Sequence, residues 1–515
     1  MMKLPLLSLI LLTPAAGAAV IAALPPHAAG AVKRIAALAT GITLALALTV
    51  FAGYDWLRGG MQFTERVPWI GDLGVDYSLG VDGISVPLML LSALIGFCAV
   101  FSSWSLEERP KEFFLLLLLL VTGVTGTFIT RDLFIFLLFY EVVVIPIYLL
   151  VILWGSSKRV TKEYAGIKLT IYLLLGSAFM LIGVMSLYLT AYPAGERTFA
   201  MEALTAAREL GRFSESFQIW AFFLLLLGFG SLLSMWPFHS WSPDGYAGAP
   251  TAVSMIHAGV LKKIGGYGLI RIGILMLPLG AKFWAPLIAG LGVINVAYAA
   301  FIALVQKDLK YVVGYSSVSH MGYVLLGIAA LNPLGIAGAV ANMFAHGVMA
   351  ALFFAMIGFV YERTHVRSIS ELGGLAHQMP RAAAGFMVAG MASLGLPGLI
   401  GFVPEFTIFL GVFSRFPLPA ILAIAGIILT ALYVLRTLAA ILFGPRMPRF
   451  DGCSDITGPA LTPLLLLAGT VVLFGLFPAL LLRVVDSGVM PVQPLLDSLQ
   501  GHDGLLPLTK LLGGK

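Results

Sequence analysis

The chain has 515 residues, of which 59% are hydrophobic and only 11% charged, against about 25% charged in an ordinary soluble domain, so it is read as an integral membrane protein. Its formal charge of +6 forms no cluster suited to a nucleic-acid groove and is the basic excess that cytoplasmic membrane loops carry. Cys98 and Cys453 are too few and too far apart to hold an iron–sulfur cluster or a zinc ion, and no GxGxxG turn or GxxxxGK[ST] loop occurs, so no metal or cofactor is expected on this chain.

A hydrocarbon core of ~30 Å takes about 20 apolar residues as helix. That ruler predicts an all-α membrane bundle of about fourteen spans, near 4–24, 31–53, 81–104, 112–129, 133–154, 166–192, 216–238, 249–273, 282–305, 310–330, 334–361, 381–414 (interrupted), 418–443 and 459–482. The first, with Lys3 and an apolar stretch ending in AGA, has the look of a signal peptide, but its apolar run is longer than an h-region of about 7–15 residues. Lys and Arg collect on one side of the spans, from Lys33 and Arg34 through Lys158, Arg159 and Lys307 to Arg446 and Arg449, whereas the other side has little beyond Arg131, Arg271, Lys282 and Arg415. The positive-inside rule then puts both termini on the non-cytoplasmic side of a cell membrane, which keeps the first span in the count. The loops at 54–80 and 193–215 are too short for a soluble domain.

Two spans are broken. The seventh meets Pro237 in LLSMWPFHSWSPDG, and the twelfth contains GLPGLIGFVPEF. Irregular backbone at membrane depth survives where it is buried in protein or lines a wet cavity, and matched breaks point to repeats. The expected organisation is therefore spans one to three (1–110), a five-span repeat (111–275), an inverted second repeat (276–445), and the fourteenth span with a tail (446–515).

Charges lie where they are expensive. Glu141 interrupts LFIFLLFYEVVVIPIYLL in the fifth span, Lys168 opens the sixth, His257, Lys262 and Lys263 lie in the eighth, His320 in the tenth, His346 in the eleventh and Glu405 in the twelfth. An ionisable group at mid-bilayer costs at least ~2.5–3.5 kcal/mol and by default faces the bundle interior on an ion path. A carboxylate that alternately gains and loses a buried cation changes its proton affinity, and histidine relays between such groups. Each group also has a plainer reading. Glu141 and Lys263 could staple two helices, Lys262 could reach a headgroup or water, and either histidine could be a satisfied interhelical hydrogen bond. His239 and Trp241 sit at a span's end and read as structural, and Arg131 and Asp132 as interfacial. Together, two carboxylates, central lysines and two broken helices point to ion translocation.

The stretches WPFHSWSPDGYAGAPTAVSMIHAGVLKKIGGYGLIRI, DLKYVVGYSSVSHMGYVLLGI, FAHGVMAALFF and YERTHVRSISELGG resemble the antiporter-like membrane subunits of respiratory complex I, the chain M branch above all, over about residues 80–445. The resemblance implies a proton-translocating subunit of an NADH:quinone oxidoreductase, set in the inner (plasma) membrane beside chain L-like and chain N-like subunits. NADH, FMN, iron–sulfur clusters and quinone are then expected on partner subunits. It matches Glu141 to a glutamate that pairs with a seventh-span lysine, Lys168 to an associated lysine, Lys263 rather than Lys262 to the central lysine, His346 to a relay, and Glu405 to the exit group. Glutamate rather than lysine at 405 selects chain M among its siblings. One departure stands out: the place of the seventh-span lysine, seven residues before His239, is Leu232. Lys168 or Lys262 would then have to partner Glu141, or this chain's pumping is altered or lost. Three readings follow: a complex I pump subunit, a subunit of a sodium/proton antiporter or membrane-bound hydrogenase, and a scaffold that no longer pumps.

Overall fold

The computed structural model describes residues 4–156 and 160–500; Lys3, Lys158 and Arg159 of the residues weighed above lie outside them. Thirteen of the described helices are long and apolar enough to cross a membrane. The eighth and twelfth predicted spans escape that count because each is divided; the fourteenth enters it as Gly458–Leu476, and a further apolar segment, Ala479–Gln500, follows it past Pro478 where the sequence predicts only a tail. The expected all-α bundle is therefore what the chain forms.

Helix starts follow local chemistry. Asp132 caps the fifth span, Leu133–Trp154, its Oδ1 accepting from Phe134 N at 2.9 Å and Ile135 N at 3.1 Å. Asn332 caps the eleventh span, Pro333–Thr364, its Oδ1 accepting from Gly335 N at 2.8 Å while its amide donates to Gly411 O of the twelfth at 2.7 Å. That cap also fixes the eleventh span against the broken one. The tenth span, Leu309–Ala330, and the eleventh are buried almost throughout, so their polar side chains are held in the bundle's interior.

Both breaks are real. The seventh span ends at Leu233 and resumes as the short helix Trp241–Gly248. Asn295 of the ninth span (Pro278–Val305) bridges the gap: its amide donates to Ser234 O at 3.0 Å and its Oδ1 accepts from Trp236 N at 2.7 Å. Trp241 Nε1 donates to Ser231 O at 3.0 Å. The freed backbone is thus satisfied by protein, as hydrocarbon requires. The twelfth span divides into Pro380–Ser393 and Phe402–Phe413. The eighth is helical over Thr251–Ile256 and Lys262–Gly268, with wide π turns at His257–Leu261 and Leu269–Ile274 that periodicity did not foretell. Such turns recur at functional sites.

The 54–80 loop holds an unpredicted hairpin, β1 (Gln62–Ile70) antiparallel to β2 (Val75–Val81), with Val67 opposite Tyr77. Its turn needs Gly74, at φ +64°, where a Cβ would lie 2.1 Å from Arg197 O. Glu65 accepts from Leu7 N at 2.8 Å, and Ser78 O accepts from Arg131 N at 2.9 Å, so the hairpin ties the first span to the start of the fifth. Arg131 and Asp132, read from the sequence as interfacial, belong to this joint at the start of the fifth span: Asp132 is fully buried and also accepts from Asp76 N at 3.1 Å.

Candidate functional site

Four side chains from four spans form a line in the core. Lys263 follows the first π turn and is fully buried. Its ammonium meets the Ala258 carbonyl inside that turn and lies 2.8 Å from His346 Nδ1. The rings of His346 and His320 stand 5.3 Å apart. His320 Nδ1 lies 3.1 Å from Glu405 Oε1, an ion-pair approach rather than an aligned hydrogen bond, and its Nε2 is 3.1 Å from Ser393 Oγ. None of the four is more than 5% exposed.

The second break shapes the far end of this line. Gly395, in the gap of the twelfth span, adopts φ +66°, and a Cβ there would sit 3.0 Å from Glu405 Oε2. Glycine leaves room for that carboxylate. The arrangement can pass a proton: lysine, two imidazoles and a carboxylate all gain and lose protons, and the one longer gap lies between two aromatic rings.

Lys262 points elsewhere. Its ammonium is 3.1 Å from Ser317 Oγ of the tenth span and 5.2 Å from the centre of the Tyr246 ring. Lys168 of the sixth span (Lys162–Ala191) pairs with Asp244 at 2.7 Å, and Tyr311 donates to the other carboxylate oxygen at 3.0 Å. Asp244 was not singled out from the sequence, although it is the lone carboxylate directly after a broken span.

Glu141 is where expectation and structure part. It does not face the bundle interior: it is exposed on an outward stripe of the fifth span with Leu138, Val142 and Ile145. Among the described residues it has no ion pair or hydrogen bond. Neither cation offered as its substitute partner reaches it, since Lys168 holds Asp244 and Lys262 holds Ser317. Leu232 is buried at the end of the seventh span's first half. The structure therefore joins Lys263, His346, His320 and Glu405, sets Lys262 and Lys168 on two neighbouring contacts, and leaves Glu141 apart.

Residues 130–432, a stretch that includes every residue of this site, match the family described as NADH:quinone oxidoreductase/Mrp antiporter, TM. The chain belongs to this family. It is 39% identical over 468 residues to a protein named NAD(P)H-quinone oxidoreductase chain 4 1 of Synechococcus sp. (strain JA-2-3B'a(2-13)), covering 88% of this chain and 87% of the relative. A relative of the same name from Picosynechococcus sp. is 42% identical over 417 residues, covering 78% and 76%. Among solved structures, a chain of the respiratory complex I from Thermus thermophilus with bound NADH superposes with TM-score 0.86 at 28% identity, over 96% of this chain and 100% of that one. A chain of the archaeal membrane-bound sulfane sulfur reductase superposes with TM-score 0.81 at 26% identity, over 91% of this chain and 76% of that one. A chain of the Mrp complex from Dietzia sp. shares the fold, with TM-score 0.80 at 21% identity, over 94% of this chain and 52% of that one. The family's membership is thus carried by the spans that hold the buried line, from the fifth to the thirteenth.

Proposed function

We propose that this chain is the chain M-type membrane subunit of a proton-pumping NADH:quinone oxidoreductase, and that it moves protons along Lys263, His346, His320 and Glu405 while other subunits carry the electrons. The carrying observation is that continuous line of buried titratable groups. Lys263 is the central cation that loads and releases, the two histidines pass the proton, and Glu405 delivers it at the second break. NADH, FMN, iron–sulfur clusters and quinone belong to the partner subunits. The inner (plasma) membrane, with both termini on its non-cytoplasmic side, fits the basic residues of the loops, and repeats at 111–275 and 276–445 fit breaks five spans apart.

Glu141 then works at a subunit boundary. A carboxylate exposed at hydrocarbon depth costs at least ~2.5–3.5 kcal/mol. The sixth span also exposes Ile167 and Ile171, so both helices offer apolar surface suited to a chain L-like or chain N-like neighbour. That neighbour covers Glu141 and supplies the cation that Leu232 does not.

One observation favours a second reading. Leu232 and the unpaired Glu141 are what a scaffold that has retired its channel would show. The two separate in sealed inverted vesicles carrying the assembled complex, by measuring proton uptake per NADH oxidised in Lys263→Met. The pump reading expects uptake per electron to fall with the complex intact; unchanged uptake gives the lead to the scaffold.

A further inference from the structure

The seventh span, whose first half is Glu215–Leu233, and the ninth begin on the same side of the bundle, and their first turns enclose a cavity of about 410 Å³. Its wall is aromatic. The rings of Trp220, Phe223, Trp284 and Phe283 follow one another with centroids 6.3, 4.7 and 5.0 Å apart. Trp284 is fixed in that row by donating from Nε1 to Ile219 O at 2.9 Å. Trp220 and Phe283 are 64% and 57% exposed, so the row presents ring faces that no side chain of this chain covers. Glu215 and Ser216, from the first turn of the seventh span, complete the lining, and Glu215 is the one charged side chain in it.

Tryptophan at the end of a span is ordinary, since the indole settles at headgroup depth. A carboxylate set beside an aromatic wall is more particular. Ring faces attract a cation through their quadrupole, and a carboxylate gives that cation a charge-assisted hydrogen bond if it carries an N–H. With one carboxylate and no cation in its lining, the cavity is complementary to an ammonium. Lys282 stands exposed next to Phe283, placed for an anionic group joined to that ammonium. Beyond the cavity the ninth span turns Leu287, Ile294, Tyr298, Phe301 and Val305 outward. Their spacing of seven, four, three and four residues puts them on one helical face. That stripe is ~27 Å long at 1.5 Å per residue, close to the thickness of the hydrocarbon core. An ammonium, then an anion, then acyl chain is the order of groups in an amine phospholipid.

We propose that this crevice binds a primary-amine phospholipid such as phosphatidylethanolamine. Its ammonium lies on the Trp220–Phe283 wall and donates to Glu215 and Ser216, its phosphate meets Lys282, and its chains run along the stripe of the ninth span. The site stands whether or not this chain pumps. The test takes the assembled complex, stripped to its most tightly held lipids, and titrates it in detergent with dioleoyl phosphatidylethanolamine, phosphatidylcholine or phosphatidylglycerol, counting retained lipid by native mass spectrometry. The parent should retain one more ethanolamine lipid per complex than Glu215→Gln or Trp220→Leu, with the glycerol lipid count the same in all three. Both substitutions fall on exposed side chains, so assembly should be unchanged. The choline lipid has no N–H to give Glu215 and should be retained less well by the parent. Equal ethanolamine lipid in the parent and both variants overturns the site, and equal retention of choline and ethanolamine lipids overturns its choice of a primary amine. A cryo-EM map of the complex in an ethanolamine and glycerol lipid nanodisc then locates the molecule. Headgroup density against Trp220 and Phe283 is expected; an empty crevice, or a side chain from a neighbouring subunit in it, sinks the proposal.

Discussion

The spans around the first break and those around the second carry the same device, a helix interrupted near mid-membrane, yet they treat charge differently. Toward the second break Lys263, His346, His320 and Glu405 are all buried and follow one another in a line whose longest step is the 5.3 Å between the two imidazole rings. Around the first, Lys168 and Asp244 form a pair that stays about a fifth exposed, and Glu141 faces outward with nothing opposite it. The second region is complete within one chain. On the function proposed above, the first would be finished only when another subunit's surface is laid against it. A single membrane protein can thus hold one polar site it satisfies itself and another it leaves for assembly to satisfy.

The largest effect is expected where the line is self-contained. Lys263→Met removes the one ammonium that, among the described residues, lies within hydrogen-bond distance of His346, so this chain's share of proton uptake per electron should vanish while assembly persists, because methionine fills the same apolar space. Uptake measured in sealed inverted vesicles checks it, and uptake equal to the parent's would dissolve the contrast between the two regions.

The outward region should answer differently, through association. Glu141→Lys places a cation against whatever cation the neighbour supplies. A like-charge contact across an interface costs several kcal/mol, so the complex should fall apart in mild detergent. Glu141→Gln should hold together better while still losing uptake. Size-exclusion profiles of the two variants decide it; equal stability would mean that no cation faces this residue.

How much of this was legible in the sequence depended on phase. The central lysine and the twelfth-span carboxylate could be found because a charge inside a span is costly wherever it points. Which way Glu141 points could not be found. The fifth span is apolar all round, so its periodicity marks no inner face, and the outward stripe of Leu138, Glu141, Val142 and Ile145 looks no different from the inward one of Phe136, Tyr140 and Val143. Asp244 was hidden by its context, since SPDG reads as a turn whether or not its carboxylate holds a lysine of the neighbouring span. The hairpin was missed for a related reason: Pro68, Gly71 and Gly74 interrupt the alternation over 62–81 that would have announced two strands. The helix breaks were legible because proline and glycine act locally, and the π turns were not because LKKIGGYG has nothing that forbids an ordinary helix.

A smaller effect sharpens the role of the second break. Gly395→Ala puts a Cβ 3.0 Å from Glu405 Oε2 at a left-handed backbone position that costs an L-residue about 1–2 kcal/mol. Uptake per electron should drop in part and the melting point should fall with it. If the melting point falls while uptake is untouched, the space around the Glu405 carboxylate matters to folding alone, and the exit end of the line must be sought elsewhere on the twelfth span.

The smallest effect comes from the joint on which the first region is built. Asp132→Ala removes a helix cap and an acceptor for Asp76 N, a loss of about 1 kcal/mol for the cap. Alanine keeps the backbone path, so the hairpin and the start of the fifth span should loosen without displacing the buried line. The expected result is a slightly lower melting point, unchanged protons per electron, and a complex that sheds its neighbour somewhat sooner in detergent, because the face bearing Glu141 is mounted on that helix. If uptake fell as well, the two regions would be mechanically coupled through the fifth span, and the division between a finished site and an unfinished one would give way to a single device that spans both.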